Sequence, residues 1–130
     1  MIQKSDWKTL EMPPRTASFT LSYPLADSDL AAIREGHRPE EMEDKWFMYC
    51  EGDTLYIHRS WTGYCIYAVA LSQTGSLAVT VNRDPAQHKE TVVEADRNMV
   101  ELLLNRLTGR NGRSAALMQA YLSRKSRPQP

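Results

Sequence analysis

Cysteine is scarce in this sequence, and the motifs that usually accompany cysteine chemistry are missing. The chain contains two cysteines, Cys50 and Cys65, and no CxxC pair. This excludes a disulfide-rich secreted scaffold and the zinc motifs that are built from paired cysteines. The three histidines are widely separated in the sequence, so no short-spaced metal motif includes them. We therefore expect two free thiols, no metal site and no bound cofactor.

Long apolar runs are also absent. No segment approaches the ~20 consecutive apolar residues that a membrane-spanning helix needs. Residues 1–15 contain no apolar stretch of the kind found in signal peptides, and with two consecutive prolines and no sustained period they form an N-terminal arm. Apolar residues make up 42% of the chain and charged residues 25%, as in ordinary globular proteins. The sequence predicts one soluble, cytoplasmic domain over residues 1–130, without membrane contact.

Net charge is zero, but the two signs are unevenly distributed. Residues 97–130 carry seven basic residues and one acidic residue, whereas the preceding part has an excess of acids. A basic end can contact nucleic acid, or it can neutralise the acidic body of its own domain or of a twin subunit. No recognised nucleic-acid-binding module accompanies the charge. We therefore expect no nucleic-acid partner, and residues 125–130 are interpreted as a frayed basic tail.

Alternating apolar and polar residues predict five β-strands. The clearest alternation begins at Thr16 and ends before Pro24. The predicted strands are residues 16–23, 45–51, 54–60, 64–72 and 76–82. The turns between the last four are short and rich in glycine, serine, threonine and aspartate, which tolerate turn geometry. Consecutive strands joined by such turns indicate an antiparallel meander.

Helical periodicity predicts three helices. A short helix is expected to begin with Asp27 or Ser28 as its cap and to end at Gly36. A longer helix over residues 95–108 carries a broad leucine-rich stripe, and a third is predicted over residues 114–125. The fold class is therefore α+β, an antiparallel meander of about five strands with helices packed on one face.

The turn formed by Gly52 and Asp53 predicts the register of the first hairpin. If these two residues are the whole loop, Arg59 lies directly across from Trp46. Because side chains alternate along a strand, Arg59 ends an aliphatic stripe on one face, and His58 points to the other face. Trp61 falls on the same side as Arg59 if the strand extends that far.

This arginine and tryptophan group has two interpretations. A cation over an indole contributes ~0.5–2 kcal/mol by itself, so the arrangement is stable without a ligand. Alternatively, Arg59 offers its planar guanidinium to a phosphate or carboxylate while Trp46 or Trp61 stacks on an aromatic group such as a base. The sequence leaves both interpretations open. Trp46, Arg59 and Trp61 are therefore the candidate ligand-binding residues.

Four carboxylates occupy five consecutive positions, residues 40–44, just before the central sheet. Such a cluster is a solvated turn, or it holds a divalent cation or supplies the acid and base of a hydrolytic reaction. Glu43 and Asp44 stand nearest Trp46, and with His58 they are the candidate catalytic residues. In that enzymatic alternative Arg59 stabilises charge at a phosphate or glycosidic bond. Arg59 and His58 would then have to serve one site from opposite faces of the sheet.

The runs DKWFMY and LYIHRSWTGYCIY, both within residues 44–67, resemble an uncharacterised bacterial domain family with a DKWF and HRSWTG motif. Members of that family occur as small stand-alone domains and sometimes beside ADP-ribosylglycohydrolase domains. The resemblance implies chemistry that involves ADP-ribose or related nucleotides. It leaves open whether the domain binds, processes or accompanies such molecules.

Three functions are consistent with these residues. The leading expectation is a small ligand-binding or accessory domain for an anionic nucleotide-like molecule such as ADP-ribose. The second is a small hydrolase or transferase, so whether the protein is an enzyme stays open. The third is a homodimerisation domain whose interface is an aromatic face. That face is expected to comprise Phe47, Tyr49, Tyr56 and Tyr67.

Overall fold

Five antiparallel strands form one sheet in the computed structural model of the protein, which describes residues 1–110. The strands are β1 (Thr16–Ser22), β2 (Trp46–Glu51), β3 (Thr54–Arg59), β4 (Cys65–Ala70) and β5 (Ser76–Asn82). Their order across the sheet is β1-β5-β4-β3-β2, so β2 to β5 form a meander and β1 pairs with β5. The predicted α+β fold with a five-stranded antiparallel sheet is confirmed. The helix predicted at 114–125 and the tail at 125–130 lie outside the described residues.

Among the described residues, two α-helices accompany the sheet, α1 (Asp27–Glu35) and α2 (Val93–Thr108). The cap predicted for α1 is wrong: Ala26, not Asp27 or Ser28, precedes the helix. The reason is the Asp29 carboxylate, which accepts a hydrogen bond from the Ala26 backbone N–H at 2.9 Å and so closes the first turn one residue earlier. Within residues 1–110, neither helix has the length and apolar character that crossing a membrane requires.

Gly36 ends α1 where the sequence predicts. Its φ of 79° is unfavourable for other residues, and a Cβ atom built on it would lie 2.6 Å from the Met48 carbonyl oxygen. Glycine is therefore required both by the backbone conformation and by the close approach of β2. This tight turn brings the next residue, His37, alongside the edge of the sheet.

The main core lies between one face of the sheet and the two helices. Alternate residues of the strands point into it, except that the consecutive Ile66 and Tyr67 of β4 both do, and α1 and α2 contribute apolar residues from the opposite side. The helical contributors are Ile33, Val100, Leu103 and Leu104, each at most 1% exposed. The helices therefore pack on one face, as predicted.

The N-terminal arm covers the opposite face of β2 and β3. Trp7 stacks on Phe47 with ring centroids 6.1 Å apart, and its indole N–H donates to the Ser60 carbonyl oxygen at 2.8 Å. The Leu10 backbone N–H donates to the Gly63 carbonyl oxygen, also at 2.8 Å. The arm is thus attached both to the sheet and to the turn that follows β3.

A β-bulge between β3 and β4 changes which face Tyr67 occupies. Ile57 pairs with Tyr67, but the next residue, His58, pairs with Cys65, so Ile66 is an extra residue in β4. The prediction that Tyr67 belongs to the aromatic face is therefore wrong. The prediction assumes that side chains alternate without interruption through the turn and along β4, so it does not allow for the inserted residue. A shift of one residue moves a side chain to the other face of the sheet.

The remaining aromatic face is largely covered within the chain. Phe47 and Tyr49 are 0% and 4% exposed, and Tyr56 is half-buried. Tyr49 stacks on Tyr56 and on His58, with centroid separations of 5.3 and 5.6 Å. Dimerisation through this face remains a prediction, with Tyr56 as its accessible aromatic residue.

Candidate functional site

The predicted pairing of Arg59 with Trp46 is confirmed. The two residues face each other across β2 and β3, and the Arg59 Cζ atom lies 5.0 Å from the centroid of the Trp46 ring. The Gly52 and Asp53 turn sets this register, because Glu51 and Thr54 form the last pair before the loop. The cation–π contact between Arg59 and Trp46 therefore lies at the end of the hairpin that is farthest from the turn.

The Arg59 guanidinium packs against the Trp46 ring, which itself belongs to the core. The Trp46 side chain is only 9% exposed, and its ring also packs against Tyr67, with centroids 6.3 Å apart. Arg59 is half-buried, and within residues 1–110 its guanidinium has no hydrogen bond or ion pair with another residue. A guanidinium has five N–H donors in a fixed plane. The site therefore contains an oriented cation whose hydrogen-bonding capacity is unused by the described residues.

Trp61 lies in the turn after β3 and is 65% exposed. Its indole N–H donates to the Met42 carbonyl oxygen at 2.9 Å. Ser60, the preceding residue, donates its backbone N–H to the Lys45 carbonyl and its hydroxyl to the Asp44 carbonyl, both at 2.8 Å. These three hydrogen bonds join the turn to the loop before β2. The result is an exposed indole that is hydrogen-bonded to this loop.

Asp44 belongs to an ion cluster on this loop. Its carboxylate accepts hydrogen bonds from His37 Nε2 at 2.6 Å and from Arg106 Nη2 at 3.1 Å. Burial raises the pKa of the Asp44 carboxyl, but the hydrogen bond and charge of His37 and the charge of Arg106 outweigh burial and hold it below the usual value. Glu43, the other acidic candidate, is exposed. The structure therefore pairs Asp44 with His37 and not with His58.

His58 lies on the opposite face and is 2% exposed. Its Nδ1 atom is 2.9 Å from the Gly63 carbonyl oxygen, which can only accept, so Nδ1 carries the proton. Its Nε2 atom is buried and has no hydrogen-bond partner among residues 1–110. The ring packs against Phe47 and Tyr49. The structure keeps His58 and Arg59 on opposite faces of the sheet, as the hairpin register predicts.

We expect His58 to make the protein less stable as the pH falls below about 6.5. Burial lowers the pKa of His58 in the folded state, so the unfolded chain binds the proton more readily and protonation favours unfolding. The contribution of neutral His58 is complete above the unfolded pKa and is lost as the pH falls toward the folded pKa. Urea unfolding at a series of pH values measures this slope. His58→Phe should flatten it, and an unchanged slope would assign it to other groups.

Asp96 is the centre of a buried network that the candidate residues did not include. It is 0% exposed in the first turn of α2. Its carboxylate accepts hydrogen bonds from Arg83 Nη2 at 2.6 Å, Tyr67 Oη at 2.8 Å and His88 Nε2 at 2.9 Å. Burial raises the pKa of Asp96, but the hydrogen bonds from His88, Arg83 and Tyr67 outweigh burial and lower it. Because Tyr67 also packs on Trp46, the network supports the tryptophan ring over which Arg59 lies.

The sequence does contain one signal for this network. Asp96 lies three and four residues before Met99 and Val100, so it shares their inward helical face. A carboxylate in the first turn is usually interpreted as a favourable charge at the helix N-terminus. On an inward face, however, it requires a buried cationic or hydrogen-bonding partner. Arg83 and His88 lie in the loop before α2, where no spacing rule identifies them as those partners.

The two cysteines are free thiols, as predicted. Burial raises the pKa of Cys50 to about 11 and that of Cys65 to about 12. Both therefore remain protonated near neutral pH and lack the thiolate that nucleophilic catalysis needs. Among residues 1–110, no three histidine, cysteine or acidic side chains converge as a metal site requires.

A groove of about 670 Å³ lies between the N-terminal arm and the end of β2. Its lining includes Lys4, Trp7, Lys8, Cys50 and Glu51, and none of the predicted site residues. We place the candidate site instead at the turn after β3, where a guanidinium without a polar partner among residues 1–110 and an exposed, hydrogen-bonded indole occur two residues apart. Comparison with protein-family models, with curated protein sequences and with solved structures finds no match to this chain.

Proposed function

We propose that the protein is a small binding domain for an anionic, nucleotide-like ligand such as ADP-ribose. The observation that carries the proposal is the half-buried Arg59 guanidinium, which lies over Trp46 without a carboxylate partner in the described residues. A charge withdrawn from water is usually paired. A phosphate or carboxylate of the ligand would supply that partner through two parallel, charge-assisted hydrogen bonds.

Trp61 supports the aromatic part of the proposed ligand. Stacking of a base on an aromatic side chain contributes about 1–3 kcal/mol per base. The hydrogen bond from Trp61 to Met42 already restricts the indole, so less side-chain freedom is lost when a ligand binds. In this account Arg59 and Trp61 contact the ligand, and Trp46 orients Arg59 from below.

Catalysis on the bound ligand has less support from the geometry. An acid or base must lie within hydrogen-bonding reach of the reacting atom. Asp44 is engaged by His37 and Arg106, and His58 is buried on the opposite face of the sheet. A hydrolase would therefore depend on Glu43 alone among the three candidates. Binding is the function that these contacts favour.

A thermal-shift panel tests the proposal. A ligand that binds only the folded state stabilises it by about 2.7 kcal/mol when its concentration is 100 times Kd. We would compare ADP-ribose, ADP, ribose 5-phosphate and adenosine. ADP-ribose and ADP should give the largest increases in Tm, since ribose 5-phosphate lacks the aromatic group and adenosine lacks the anion. An absence of any shift across the panel would overturn the proposal.

Trp61→Ala should abolish the advantage of ADP over ribose 5-phosphate. The loss of stacking predicts that ADP affinity falls by about five- to 150-fold, while ribose 5-phosphate affinity changes little. Stability should barely change, because Trp61 is 65% exposed. Val92→Ala is the matched control, since Val92 is a second exposed apolar residue, at 50%. ADP binding by Trp61→Ala at wild-type affinity would show that the indole does not contact the ligand.

A further inference from the structure

The two edge strands of the sheet differ in how the chain covers them. At the free edge of β2, His37 and Met48 exchange backbone hydrogen bonds of 2.8 and 2.9 Å. On the side of β1 that faces away from β5, no backbone segment within residues 1–110 forms such a bridge. Among the described residues, no backbone therefore pairs with the edge of β1, and the Arg97 side chain contacts it at Thr20.

The alternation along β1 determines which backbone groups face this open edge. At one end the Arg83 N–H donates to the Arg15 carbonyl, and at the other the Tyr23 N–H donates to the Gly75 carbonyl, both at 2.9 Å. Antiparallel bonding alternates from residue to residue, so the odd-numbered residues between Arg15 and Tyr23 bond to β5. The residues that direct their N–H and C=O groups outward are Thr16, Ser18, Thr20 and Ser22.

β1 lacks the features that usually protect an exposed strand edge. Its sequence, TASFTLS, contains no charged residue and no proline, and its pairing with β5 contains no bulge. The side chains of the four outward residues are small, hydroxylated and exposed. Two copies of this strand would therefore meet without like charges, and hydroxyl groups opposite one another are favourable in antiparallel pairs.

We propose that β1 pairs antiparallel with β1 of a second copy of the chain and joins the two sheets into one. The contact is symmetric, because the same outward residues of both strands exchange hydrogen bonds. This surface is independent of the proposed ligand site, since β1 and the hairpin of β2 and β3 lie at opposite edges of the sheet.

Arg97 opposes this pairing. Its Nε atom donates to the Thr20 carbonyl oxygen at 3.2 Å, and its guanidinium lies over the Phe19 ring, 5.3 Å from the centroid. Arg97 also forms an ion pair with Glu94. A second β1 must displace Arg97 from Thr20, so association is a competition for this carbonyl. Because each of the two copies loses one competing hydrogen bond, Arg97→Ala should tighten the dimer by about 100-fold, about tenfold for each copy.

Sedimentation velocity of the full chain over a range of concentrations tests the proposal. The average mass of the wild type should rise toward that of a dimer as the protein concentration increases. In Arg97→Ala the same rise should occur at lower concentrations. Ser18→Pro removes an outward N–H that β5 does not use, and Ser18→Lys adds a charge to the edge. Both should keep the protein monomeric. Ser76→Lys is the control, because Ser76 is exposed on β5, an interior strand, and its replacement should leave association unchanged.

Hydrogen exchange locates the contact. The Ser18 and Thr20 amides should become protected as concentration rises, whereas the Phe19 amide, which faces β5, should be protected throughout. Three results would overturn the proposal. They are a monomer at every concentration in both the wild type and Arg97→Ala, a dimer that persists in both Ser18 variants, and concentration-independent protection of the outward amides.

Discussion

Asp96→Ala is expected to lower the free energy of unfolding by about 3–5 kcal/mol, the largest stability effect that we predict. The substitution leaves Arg83, whose side chain is 14% exposed, as a nearly buried cation without its 2.6 Å partner. It also removes an acceptor from the Tyr67 hydroxyl and from His88 Nε2. A buried donor that loses its acceptor bears the full cost of desolvation. Urea unfolding of the two proteins at neutral pH measures the difference.

Asp53→Ala is the matched control for this prediction. Asp53 also accepts a hydrogen bond from an arginine, Arg34 Nη2 at 3.2 Å, but its side chain is 84% exposed. Exposed ion pairs of this kind contribute about 0–1 kcal/mol. If Asp96→Ala costs no more than Asp53→Ala, the buried network does not stabilise the fold, and its role beneath Trp46 must be abandoned.

Arg59→Ala is expected to weaken ADP-ribose binding by about ten- to 150-fold, which corresponds to about 1.5–3 kcal/mol for a charge-assisted hydrogen bond. Its effect on stability should be smaller, about 0.5–1 kcal/mol, because only the cation–π contact with Trp46 is lost at a partly solvated edge. The affinity of Arg59→Lys for ADP-ribose should fall between those of the wild type and Arg59→Ala, since lysine keeps the charge but lacks the planar pair of donors. Calorimetric titration gives the affinities and urea unfolding the stabilities.

Arg34→Ala is the control for binding, because Arg34 is a partly exposed cation on α1 whose partner is the exposed Asp53. It should leave ADP-ribose affinity unchanged. The opposite pattern for Arg59→Ala, with marked destabilisation and unaltered affinity, would mean that the guanidinium serves only as a structural cation over Trp46.

Local rules were sufficient to predict the hairpin at the centre of the site. The two-residue turn at Gly52 and Asp53 determines which residues of β2 and β3 pair, and alternation then places Arg59 over Trp46 and His58 on the other face. Both inferences need only residues that are close in sequence. The same holds for the end of α1 at Gly36, whose position follows from backbone conformation.

Features that depend on distant contacts could not be predicted in the same way. The bulge at Ile66 adds one residue to β4, so Tyr67 points to the opposite face of the sheet. No turn residue in the sequence predicts this bulge. The partners of Asp96 come from β4 and from the loop before α2, and only the folded chain brings them together. The arm at residues 1–15 has no periodicity, yet Trp7 and Leu10 attach it to the turn that carries Trp61.

An NMR titration of the ¹⁵N-labelled protein tests most directly whether ADP-ribose or a similar anion binds at Arg59 and Trp61. The chain has three tryptophans, so three indole N–H signals report separate places: Trp61 in the exposed turn, Trp46 beneath Arg59, and Trp7 in the arm beside the groove. With ADP-ribose we predict a saturable shift that is largest for Trp61, smaller for Trp46 and negligible for Trp7. A titration that moves no indole signal, or moves chiefly that of Trp7, would contradict the account.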